Sequence, residues 1–83
     1  MKVSIRTMLH KTNYVSPGGE DRYTASVTTN TPVGAHKYSP SSLLSKDEAT
    51  EWLEKRFGVE LAKAPDTARI IGGPTYGFIE YEA

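Results

Sequence analysis

His10 and His36 are the only imidazoles in the 83-residue chain, and there is no cysteine. A metal centre needs three or four nitrogen, oxygen or sulfur ligands, and no spacing here supplies them. Without a thiol there is no thiolate ligand, cysteine nucleophile or disulfide staple. Glu20 and Asp21 are adjacent carboxylates. Paired carboxylates do acid–base work when a dry environment drives their pKa values apart, and a glycine-rich turn offers no such burial. Gly72-Gly73-Pro74-Thr75-Tyr76-Gly77 has the glycines of a phosphate loop. It lacks both the Lys-Ser/Thr ending and a following helix, so a hairpin turn explains it better. The seven serines include no Gly-x-Ser-x-Gly elbow. An enzyme is not expected, nor is a cofactor.

The charges are more informative. Lys plus Arg and Asp plus Glu both number 10, for zero formal net charge, but their distribution is uneven. Residues 1–45 carry Lys2, Arg6, Lys11, Arg22 and Lys37 against Glu20 and Asp21. Residues 46–83 carry eight acids against five bases. Such an asymmetry becomes a two-faced surface if the fold separates the halves. Two candidate surfaces follow. One is acidic: Asp47, Glu51 and Glu54 on the outer side of a helix, joined by Glu80 and Glu82 near the C-terminus. The other is basic: Lys2 and Arg6 on one parity of a strand, Arg22 opening the next, and Lys37 beside His36 on a third. With Tyr14, Tyr23 or Tyr38 nearby, that face has the cations and rings that grip nucleic acid. A sequence pI near 6.7 weighs against a dedicated nucleic-acid binder.

These side chains need elements to hold them. Val3, Ile5, Thr7 and Leu9 alternate with polar partners, the period of a half-buried strand. Residues 10–21 turn polar and contain the turn Ser16-Pro17-Gly18-Gly19. Tyr23, Ala25, Val27 and Thr29 alternate again, Asn30-Thr31-Pro32 marks a turn, and Val33–Tyr38 reads as a short third strand. Ser45 and Glu48 fit a capping box. Ala49, Trp52, Leu53 and Phe57 form an apolar stripe, so a helix is expected over Ser45–Phe57 with Gly58 as its stop. Residues 59–64 read either as a helical extension or as a loop. Strands are expected at Thr67–Ile71 and Thr75–Glu82, the latter turning either Tyr76 and Phe78 or Ile79 and Tyr81 toward the helix.

The expected fold is therefore α+β: one domain, residues 1–83, with an antiparallel sheet of four to five strands and one amphipathic helix packed on one face. Trp52 and Phe57 are its expected anchors, and truncating a buried Trp52 to Ala should cost about 3–5 kcal/mol. No apolar stretch approaches membrane-spanning length. Residues Met1-Lys2-Val3 run straight into the first strand pattern. Cytoplasm is the default compartment.

The meander followed by Ser45-Lys46-Asp47-Glu48-Ala49-Thr50-Glu51-Trp52-Leu53 resembles two kinds of small phage-associated domain. One is the three-stranded sheet plus helix that binds arm-type DNA sites in phage integrases. The other is the set of small phage-encoded inhibitors such as anti-CRISPR proteins. The first resemblance implies DNA binding through a strongly basic sheet, from which this chain's balanced charge departs. The second implies an inhibitor that docks on a host nucleic-acid-processing complex. The expectation is thus a non-enzymatic binding protein, with the acidic helix face in a partner's basic groove and Tyr76 or Tyr81 as anchor. The alternatives are a nucleic-acid-binding domain using Lys2, Arg6, Arg22 and Lys37, and a structural phage component joined through sheet edges.

Overall fold

A computed structural model describes residues 1–83. In chain order the elements are β1 (Lys2–Val15), β2 (Asp21–Thr31), β3 (Gly34–Tyr38), α1 (Lys46–Lys63), β4 (Arg69–Gly72) and β5 (Gly77–Glu82). The five strands form one sheet of order β3-β2-β1-β5-β4, and every neighbouring pair is antiparallel. The expected meander is β1-β2-β3. The last hairpin adds to the other side of β1.

Alternation decides which side chains meet the helix. Val3, Ile5, Thr7 and Leu9 of β1 are buried, as are Ala25 and Val27 of β2 and Ile79 of β5. In register, Ile5 lies opposite both Thr29 and Ile79, and Thr7 opposite Val27, so these residues share one face. The parity of β5 left open by its sequence is therefore Ile79 with Tyr81 toward the helix, and Phe78 away from it.

Helix α1 covers that face with Ala49, Leu53, Phe57 and Glu60. Their spacing of four, four and three residues keeps them on one side of the helix. The capping box is complete: the Glu48 N–H donates to Ser45 Oγ at 3.2 Å, and the Ser45 N–H donates to Glu48 Oε1 at 3.1 Å. Leu53 is fully buried, whereas Trp52 is only partly buried at the flank of the core. The central anchors are therefore Leu53 and Phe57.

The helix also runs six residues beyond Phe57. Gly58 is helical and exposed, with nothing near the position a Cβ would take. A glycine in a helix interior costs about 0.5–1 kcal/mol, which is less than the packing of the following turn returns. The stop is instead Ala64, held extended at φ −81° and ψ 144°. Pro65 follows it and disfavours helical geometry in its predecessor.

β1 is longer than its hydrophobic period. The expected polar connection after Leu9 is instead a two-stranded ribbon, with β1 and β2 continuing past the helix to a tip at Ser16–Glu20. Ladder bonds satisfy the ribbon's backbone without a buried side, and the register shifts between Lys11 and Val15. The ribbon contributes to a 46 × 23 × 16 Å molecule.

Candidate binding surfaces

The face of the sheet away from α1 is uncovered, and it gathers most of the expected cations. Strand register builds a row across it: Lys37 opposite Thr28, Thr28 opposite Arg6, Arg6 opposite Phe78, and Phe78 opposite Ile71. Ser4, Glu80 and Arg69 form the neighbouring row. Lys37 and Arg6 are two strand spacings apart, roughly 10 Å, and Lys2 lies four residues from Arg6, roughly 13 Å. Lys2, Arg6, Lys37 and Arg69 are all exposed. Arg69 was not expected among them, because its membership depends on how β4 pairs with β5.

The four cations differ in their freedom. Lys2 Nζ lies 3.4 Å from Glu80 Oε2. Arg6 meets no carboxylate; its guanidinium lies 5.6 Å from the centre of the Phe78 ring. Arg22 stands apart from this cluster. It shares the parity of Thr24 and Thr28 but lies six residues from Thr28, roughly 20 Å along β2. There it is close enough to the start of α1 to influence Glu48. The Glu48 carboxyl is held below the usual carboxylate range, chiefly by hydrogen bonds with the Ser45 backbone and hydroxyl, with Arg22 contributing a smaller attraction. The basic set therefore divides into Lys2, Arg6 and Lys37 on the open face and Arg22 at its far end.

The expected acidic surface also divides. Asp47, Glu51 and Glu54 are exposed on α1. Glu80 and Glu82 have the parity of Phe78 and lie on the opposite side of the molecule. Glu82 is 3.6 Å from the Met1 ammonium, so both C-terminal acids are engaged by cations of β1 and the N-terminus. One docking plate cannot hold all five acids, because β5 alternates away from the helix. Lys55 Nζ additionally lies 3.3 Å from Glu51 Oε1. Of the two expected anchors, Tyr76 is exposed, while Tyr81 packs against the core.

Two depressions carry chemistry of their own. On the open face, Arg6, Met8, Ile71, Tyr76 and Phe78 line a cleft of about 270 Å³. The Tyr76 hydroxyl donates to the Leu9 carbonyl at 3.1 Å, pinning the β4–β5 hairpin over β1. On the helix side, a cavity of about 330 Å³ lies among His36, Tyr38, Glu60, Lys63 and Tyr81. Glu60 is buried, with Arg56 and Lys63 nitrogens 3.8 and 3.9 Å from its carboxylate. The Arg56 guanidinium stacks 4.3 Å from the centre of the Tyr38 ring. The i,i+4 and i,i+3 spacing of these charges is visible in the sequence; the burial of Glu60 follows from the passage of α1 beyond Gly58.

The histidines do not converge. His10 Nε2 lies 3.2 Å from Ser26 Oγ on the open face, while His36 lines the helix-side cavity. No group of three or more His, Cys, Asp or Glu side chains is placed to hold a metal ion. Asp21 pairs with Lys11 at 3.4 Å. No helix is long and apolar enough to cross a membrane. No protein-family model, curated protein or solved structure matches the chain.

Proposed function

We propose that this chain is a non-enzymatic binding domain whose working surface is the open face of the sheet, and that its partner is a nucleic acid. The observation that carries this reading is the row from Lys37 through Thr28 to Arg6, with Lys2 beside it, on a face that no element covers. Cations held on a rigid sheet suit a phosphate backbone, and the interleaved Ser4, Thr28 and Asn30 add neutral hydrogen-bonding groups. The test is a titration of labelled duplex DNA and RNA at low and physiological salt. The expected result is binding in the range of roughly 10⁻⁴ to 10⁻⁶ M that weakens as salt rises. Changing Lys2→Ala together with Arg6→Ala should remove it. Absence of binding at low salt would sink this reading.

The second reading is a phage-type, anti-CRISPR-like inhibitor that docks Asp47, Glu51 and Glu54 in the basic groove of a host nucleic-acid-processing complex. A rigid, capped helix carrying exposed acids favours it. It predicts capture of such a complex that disappears with Glu51→Lys and Glu54→Lys.

A further inference from the structure

We propose that the cleft beside the cationic row accepts an unpaired nucleobase, so that the preferred ligand is a nucleic acid with an extruded or unpaired nucleotide and not a continuous duplex. The inference rests on the nucleic-acid reading above and names the ligand class for the same face.

Three observations support it. The cleft walls are apolar: Met8, Ile71, Tyr76 and Phe78 line it, and Met8, Ile71 and Tyr76 are 38%, 48% and 64% exposed. Its volume of about 270 Å³ suits one planar ring system better than a drug-sized ligand. Its one charged wall is Arg6, which has no carboxylate partner, and no acid lines the cleft. A nucleotide has the complementary chemistry: a flat base with apolar faces, covalently tied to an anionic phosphate. The base would enter against Tyr76 and Phe78 while the phosphate meets Arg6. Tyr76 is pre-positioned by its bond to the Leu9 carbonyl, so ordering the ring on binding costs little.

The experiment compares a blunt duplex with the same duplex carrying one bulged adenosine, using fluorescence anisotropy at low salt. The bulge should tighten binding roughly 10-fold, the factor expected near the lower end of one base–aromatic stack. Ile71→Glu or Met8→Glu, both at exposed positions, should bring the ratio of bulged-duplex to blunt-duplex affinity to about one; the added carboxylate beside Arg6 weakens binding of both ligands, so the ratio is the readout. Circular dichroism checks that each variant is folded. Equal affinity for the two duplexes overturns the inference, as does a preference that survives Ile71→Glu. Absence of binding to either duplex overturns the function proposed above and this inference with it. Octanoate shifting the amide resonances of Met8 and Ile71, with no bulge preference, would assign the cleft to an apolar acid and also overturn the proposal.

Discussion

The buried amide of Gly77 donates to the hydroxyl of Thr7 at 2.7 Å, joining the start of β5 to the middle of β1. Thr7 is 1% exposed. A Cβ at Gly77 would come within 2.7 Å of the Phe57 ring and 2.4 Å of the Gly73 carbonyl oxygen. One glycine thus lets the helix, the first strand and the last hairpin converge.

Removing either partner should therefore be costly. Thr7→Val keeps the shape and strands the Gly77 N–H, at about 1–3 kcal/mol. Gly77→Ala overpacks the junction, with an expected loss of at least about 1–3 kcal/mol. Urea denaturation monitored by circular dichroism measures both. A Gly77→Ala protein as stable as the parent would refute the close approach.

The two neighbouring residues of the helix should separate cleanly. Leu53 is completely buried, so Leu53→Ala is expected to cost about 2–5 kcal/mol. Trp52→Ala should cost less than the about 3–5 kcal/mol of a fully buried aromatic, because Trp52 packs against the core but is only partly buried. The reverse order in chemical denaturation would place the indole, and not Leu53, at the centre of the core.

Gly58 offers a stabilising change. It is helical, exposed and free of neighbours, so Gly58→Ala should raise stability by about 0.5–1 kcal/mol. The gain would appear as a shifted urea midpoint at constant slope. A loss would mean that the helix stops at Phe57.

The capping box predicts a direction with pH. Glu48 titrates lower in the folded chain than in the unfolded one, owing to its hydrogen bonds with Ser45. Its charged form therefore stabilises the fold above the usual carboxylate range. That contribution is lost as pH falls through the lowered value. Comparing Glu48→Gln with the parent by thermal melting should give a difference at neutral pH that shrinks in strong acid.

The architecture was largely legible because α+β patterning rests on local periods: Val3 to Leu9 at period two, Ala49 to Phe57 near period four, and Ser45 with Glu48 at the cap. Helix length was not. Gly58 is a common stop, but its effect is smaller than the tertiary packing that carries α1 on to the constraint imposed by Pro65. The candidate surfaces were half legible. Lys2 and Arg6 share a strand, so their common face follows from alternation alone. Placing Arg69 beside them, and Glu80 and Glu82 on their side instead of the helix's, requires the β1–β5 and β4–β5 registers. The β1–β5 register pairs residues from opposite ends of the chain, and the β4–β5 register depends on where the Gly72–Gly77 hairpin turns, neither of which follows from alternation within one strand.

The ribbon that carries β1 and β2 past the helix gives the molecule an outrigger. Its turn is knit by local bonds, among them the Gly19 N–H to the Ser16 carbonyl at 2.9 Å and the Glu20 N–H to Ser16 Oγ at 3.2 Å. Because no core residue lies beyond Leu9 and Tyr23 at that end, inserted sequence or a dye at Gly18 would be mechanically insulated from the body. The protein thus has its own handle for surface attachment, with both flat sides left free.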